Sequence, residues 1–168
     1  YESVLRPLMD FVSDRGRLPL KGELAGEIAI TNEFGSLARA FKVIIDATSK
    51  DEWNEIAERR KQDLLLYVAL SKFGKRPKAT ALPESIKADL KALLGTYKSA
   101  CETADKALFA LGEPGWIKKK CAESSIGKKL PDSLYVHMSA LDMLDLSLRL
   151  YEGCASRTVG RMDGATLV

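Results

Sequence analysis

The chain has 168 residues, of which 46% are apolar and 29% charged, and its 26 basic residues against 23 acidic ones leave a formal net charge of +3. That balance excludes a disordered polyelectrolyte, and no apolar run approaches the ~20 residues that a membrane-spanning helix needs. The length allows one domain with a proper core, or two small units sharing one.

The N-terminal residues read as a helix that stops at Gly16-Arg17-Leu18-Pro19. A short segment containing Glu23-Leu24 follows, and Phe34-Gly35-Ser36-Leu37 opens a third helix with Ser36 as its N-cap. In that helix Leu37, Phe41, Ile44 and Ile45 take the core face, which leaves Arg39 and Lys42 pointing outward. One long helix is expected from Ser49 to Phe73. Ser49 and Glu52 have capping-box spacing, Trp53, Ile56 and Ala57 mark one face, and Gly74 offers a left-handed stop. Its second half, Leu64 to Leu70, is apolar all round and belongs at the centre of a core.

The same punctuation then returns as Gly74-Lys75-Arg76-Pro77 and Leu94-Gly95-Thr96-Tyr97, with Ile86-Lys87-Ala88-Asp89-Leu90 as the intervening segment. Residues 4–48 and 63–111 are therefore candidate copies of one helical unit. A competing pattern runs through Gly95. From Pro83 onward, Ile86, Leu90, Leu93, Tyr97, Cys101, Ala104, Leu108 and Leu111 keep helical spacing, at a cost of ~1 kcal/mol for the glycine relative to Ala. If the corner exists, Tyr97 and Cys101 face inward and Lys98 and Ser99 outward.

A C-terminal helical part covers 114–162. Within it Leu134, Leu141, Leu144, Leu148 and Tyr151 form an apolar stripe opposite Asp142, Asp145, Arg149 and Glu152, and Asp145 and Arg149 make an i,i+4 pair. Lys129 to His137 is the connector that docks this helix, and His137 is expected to be partly buried and hydrogen-bonded rather than catalytic. Gly164 to Val168 turns β-prone. The fold expected over residues 1–168 is all-α: a compact multi-helix domain with two helix-turn-helix-like units and a short β segment at the C-terminus. Tyr1 is not a natural start, so the chain reads as a fragment of a longer protein.

A search for chemistry finds no Gly-rich phosphate cradle, no metal-ligand spacing and no His/Cys/carboxylate set for nucleophilic catalysis. Cys101, Cys121 and Cys154 lack a Cys-X-X-Cys pair, which argues against a disulfide framework or a structural zinc site and for a reducing, cytoplasmic location. The cations are more telling. Arg15 and Arg17 lie in the first basic turn and Lys75, Arg76 and Lys78 in the second, while Arg39, Lys42 and Lys98 sit on the helices that follow. A helix presented by such a turn can enter a groove while basic side chains straddle the phosphate backbone, so these eight residues are the candidate DNA contacts. A helical protein-interaction scaffold is the alternative, using an exposed apolar patch instead. Lys118, Lys119, Lys120, Lys128 and Lys129 form a third basic cluster.

The Gly-Arg-X-Pro, Glu-Leu and Phe-Gly-Ser-X-X-X-Ala-Phe order of the first copy is similar to the small helical repeat that accompanies some homing endonucleases, a module thought to hold DNA. A broader resemblance rests on Gly16-Arg17-Leu18-Pro19, Phe34-Gly35-Ser36-Leu37, Asp63-Leu64-Leu65-Leu66-Tyr67, Gly95-Thr96-Tyr97-Lys98, Lys129 to His137, and Leu150-Tyr151-Glu152-Gly153-Cys154-Ala155. In these segments the chain resembles the non-catalytic part of the methyltransferase family associated with DNA phosphorothioation. That resemblance implies a bacterial modification or defence context, other modification-system proteins as partners, and S-adenosylmethionine as cofactor of a parent protein. No Gly-X-Gly cofactor segment and no Asp-Pro-Pro-Tyr-type motif occurs, so no cofactor and no catalytic residue is assigned to this chain.

Overall fold

Apolar positions spaced three and four apart produce eight α-helices among the residues described by this computed structural model, which are 2–161 and 163–168. They are α1 (Glu2–Arg15), α2 (Glu27–Phe34), α3 (Leu37–Ala47), α4 (Lys50–Leu70), α5 (Glu84–Leu94), α6 (Tyr97–Ala110), α7 (Trp116–Glu123) and α8 (Leu146–Thr158). Strands β1 (Lys128–Lys129) and β2 (Leu134–Tyr135) form a small antiparallel hairpin. Tyr1 and Met162, which end the expected domain and its C-terminal part, lie outside the described residues. The fold is all-α. Its helices fall into two compact units, Tyr1–Leu64 with Lys78–Ser99, and Leu65–Pro77 with Ala100–Val168.

In the first unit, Leu8, Ile30 and Ala40 are wholly buried, and Leu5, Val12, Ile44 and Trp53 close around them. The Trp53 ring meets Phe41 edge-on at 5.2 Å, and its indole N–H donates to Thr48 Oγ1 at 2.9 Å, so a large apolar group is buried with its polar atom satisfied. On α3 the expected inward set holds, with Ala40 and Ile44 buried and Leu37, Phe41 and Ile45 partly so.

The two helix corners both turn on a glycine of positive φ but are not the same turn: Gly35 is left-handed with ψ −28°, whereas Gly95 has ψ −74°. Gly35 and Gly95 adopt φ of 80° and 82°, a region open to glycine and costly for other residues, and each is followed by a capping hydroxyl. Ser36 accepts the Arg39 N–H at 3.2 Å; Thr96 accepts the Ser99 N–H at 3.0 Å, while Ser99 Oγ accepts the Thr96 N–H at 3.1 Å. The break at Gly95 is therefore real, and the helical spacing across it belongs to two helices. Ser99 is spent in this cap rather than pointing outward, and Ala100 and Ala104, not Tyr97 and Cys101, are the fully buried residues of α6. The first turns of the two copies differ. Gly16 has φ 67°, whereas Gly74 has φ −110° and ψ −149° and is not left-handed. After Leu70 a 3-10 turn over Ser71–Phe73 tightens the helix end and takes up its last carbonyls, so no left-handed residue is required.

In the second unit, Val136, Leu144 and Leu148 form the buried cluster, with Ile117, Leu134, Leu141 and Val168 packed against it. Here the expected helix from Leu134 to Tyr151 is corrected. Leu134 is partly buried, Tyr135 exposed and Val136 buried, which is the alternation of a strand. Residues Met138–Met143 form a 3-10 helix, and Asp145 opens α8 by accepting the Ser147 N–H at 2.9 Å. The β-prone C-terminus does pair: Val136 and Val168 exchange two backbone bonds of 3.0 Å. His137 is hydrogen-bonded through Nδ1 to Ser139, but it is exposed rather than partly buried.

A Cβ on Gly16 would lie 2.9 Å from Arg60 Cβ and 3.0 Å from Ala57 Cα, whereas one on Gly22, at φ 85°, would meet nothing within 4 Å. Gly16→Ala should therefore cost well over ~1 kcal/mol, from strain and clash together, and more than Gly22→Ala, which carries strain alone. Urea unfolding of the two variants checks the order.

Candidate nucleic-acid interface

The candidate cations divide into two groups by exposure. Arg17 is buried at 7% exposure, although arginine is among the residues least often found inside. Its Nε donates to Asp89 Oδ1 at 2.7 Å, and its two terminal nitrogens form a fork on Glu23 at 2.7 and 2.9 Å. The guanidinium also lies 5.4 Å from the centre of the Phe11 ring. Arg15 Nη1 reaches Asp89 Oδ2 at 3.2 Å, and Arg60 Nη2 reaches the same oxygen at 3.3 Å. Asp89 is wholly buried, so three guanidinium groups compensate one carboxylate removed from water.

Glu23 closes the first basic turn. It accepts both Arg17 nitrogens and the Leu20 N–H at 2.7 Å, and these bonds, Arg17 foremost, hold its pKa down at about 2 against an ordinary 4.5. The Glu23 bond is also the main reason that Arg17 titrates above its usual range.

Arg76, in the second basic turn, is likewise engaged. Its Nη2 donates to Asp105 Oδ1 at 2.7 Å and its Nε to the Val68 carbonyl at 3.1 Å, which satisfies a carbonyl near the end of α4. Lys72 donates to the other Asp105 oxygen at 3.0 Å and lies 4.9 Å from the Phe109 ring centre. Arg76 and then Lys72 keep the Asp105 carboxyl below its usual range.

The remaining five candidates, Arg39, Lys42, Lys75, Lys78 and Lys98, are exposed. Arg39 and Lys42 lie three apart on α3, which makes them neighbours on one helix surface. The Arg39 guanidinium folds back over the corner, with Nη1 3.1 Å from where a Cβ on Gly35 would stand. Asp46, on the last turn of α3, is the acid on its exposed side, so positive charge is concentrated in the first two turns.

Asp89 and Asp105 were absent from the candidates read in sequence. The available signal was Asp89 three residues after Ile86 and beside Leu90, a carboxylate on an apolar helix face, which calls for a basic partner elsewhere in the chain. Among the described residues, no helix is long and apolar enough to cross a membrane, and Cys101, Cys121 and Cys154 are free thiols. Burial raises the pKa of Cys154.

Compared with protein-family models, with curated proteins and with solved structures, the chain finds no match in any of the three. The resemblance to the phosphorothioation-associated family stands on the quoted segments alone.

Asp89→Asn should destabilise the protein by about 3–5 kcal/mol, because it leaves buried guanidinium groups without their counter-charge. Equilibrium denaturation measures the loss. Glu23 carries its own pH signature: its folded pKa is depressed, so its contribution is complete above pH 4.5 and disappears as the pH falls toward about 2. In Glu23→Gln that part of the acid limb should flatten, and stability measured at several pH values in this window reads it directly.

Proposed function

We propose that the chain is a non-catalytic DNA-binding or substrate-positioning module, and that the protein containing it is a methyltransferase linked to DNA phosphorothioate modification. The observation that carries the DNA reading is the α2–α3 corner. It fixes α3 through a left-handed glycine and a serine cap, buries Ala40 and Ile44, and leaves Arg39 and Lys42 exposed on the first two turns. A positive surface at the start of a presented helix suits phosphate contacts, which position a protein on DNA without reading bases. Lys98, just after the Gly95 corner, is exposed on a helix that Thr96 caps through the Ser99 N–H. The resemblance supplies the modification context and the S-adenosylmethionine chemistry of the parent protein. Arg15, Arg17 and Arg76 are at least partly buried and engaged inside the fold, and the exposed Arg39, Lys42, Lys75, Lys78 and Lys98 are the proposed DNA contacts.

A protein-interaction scaffold is the second reading, favoured by Phe73 and Phe109 in the second unit, which are 50% and 68% exposed. A salt titration of duplex binding separates the two. Each neutralised phosphate contributes ~0.9 to the slope of log affinity against log salt, so Arg39→Ala and Lys42→Ala should each flatten the slope by about that amount, uniformly across sequences. Both substitutions should leave the melting temperature nearly unchanged. Plain and phosphorothioated duplexes are run side by side. Absence of binding at low salt, or binding indifferent to both substitutions, favours the scaffold.

A further inference from the structure

A cavity of about 670 Å³ lies within the second unit, lined by residues of α7, the β1–β2 hairpin, the 3-10 helix, α8 and the C-terminal segment. Its walls are mainly aliphatic, supplied by Ile117, Leu134, Leu141, Leu148 and Val168. The volume falls within the range of pockets that enclose small organic ligands, and the lining has their usual composition of apolar walls with a few polar groups.

A second cleft of about 430 Å³ adjoins it. The two share Ile117, Cys121, Asp132 and Ser133, and the second adds Lys118 and Lys129. Lys129 is held in place by a 2.6 Å bond from its Nζ to the Ala122 carbonyl, while Lys118 is exposed. Two cations against Asp132 leave this mouth net positive. Elsewhere in the lining of the large cavity, Arg161 is already paired with Glu152 and Ser156, so that part of the wall is electrically balanced.

We propose that this pair of cavities is a binding site for an aliphatic carboxylate, with its hydrocarbon chain among Leu134, Leu141 and Leu148 and its head at Lys118 and Lys129. An uncharged hydrocarbon would make no use of the lysines, and a small hydrophilic anion would leave the aliphatic chamber unfilled. The site shares no residue with those assigned to DNA, and neither reading depends on the other.

Isothermal titration of the full chain with octanoate, decanoate and dodecanoate below their micellar concentrations tests the site. Affinity should rise roughly fourfold for each added CH₂ as more chain leaves water. Decanol should bind more weakly than decanoate, and Lys118→Glu should weaken decanoate without changing decanol. Ala155→Trp, which places an indole in the cavity from α8, should abolish binding while DNA binding and melting temperature stay as in the wild type. If that variant fails to fold, Ala165→Trp on the C-terminal segment serves the same purpose. Vesicles of phosphatidylglycerol distinguish a free chain from a lipid surface and should not compete with decanoate. No binding by any chain length, equal affinity for decanol and decanoate, retention of binding in the folded tryptophan variant, or capture by vesicles alone would overturn the proposal.

Discussion

The Asp89 carboxylate is the constraint around which the first unit is arranged. Removing a carboxylate from water costs several kcal/mol, and only close, well-aimed cations recover it. Here they come from the last residue of α1, from the turn after it and from α4, at sequence separations of 74, 72 and 29 residues. Sliding α5 by one residue would rotate the carboxylate away from all three donors while moving Leu90 out of the core. The apolar face of α5 and its buried charge therefore specify the same register. This agreement between packing and electrostatics restricts a helix whose hydrophobic pattern alone would tolerate neighbouring arrangements.

The second unit uses a weaker form of the same device. Arg76 and Lys72 share Asp105, but that carboxylate retains 29% exposure, so water screens the pair and its contribution is smaller. The arginine also donates to the Val68 carbonyl, which ties the second basic turn to the helix it follows. In both turns an arginine reaches a carboxylate on a later helix and thereby fixes the course of the loop. Such turns look like binding elements in sequence because an arginine committed inside and one offered to a ligand have the same letter.

Much of the helical architecture was legible because its causes are local. The Ser36 cap, the core face of α3, the long helix expected from Ser49 to Phe73 and the β tendency of Gly164 to Val168 depend on neighbours along the chain, and the structure contains the cap, the face, the helix as far as Leu70 and a backbone pairing of Val168. Gly95 was ambiguous for a physical reason: apolar spacing continues across it, and only the cap between Thr96 and Ser99 decides that the helix breaks. The segment from Leu134 to Tyr151 was misread because its leucines fit a helical period, whereas the pairing of Val136 with Val168 draws its start into an extended conformation. The exposure of Arg39, Lys42, Lys75, Lys78 and Lys98 was legible. The engagement of Arg15, Arg17 and Arg76 was not, because their partners Asp89 and Asp105 lie 29 to 74 residues away.

This division of the cations bears on how the protein could hold DNA. A guanidinium presents a rigid fork that can read guanine, and a lysine is a mobile point charge that senses phosphate more than base identity. Of the five exposed candidates four are lysines, and the one arginine, Arg39, is folded back against the Gly35 corner. The forks best suited to base recognition, Arg17 above all, are locked onto carboxylates inside the fold. If they meet DNA, cations of that composition would favour tracking of the phosphate backbone over sequence readout. Selectivity for a chemically altered backbone would then have to arise from how sulfur changes the hydration and charge of the contacted phosphate, because the cations facing it carry little information about the bases.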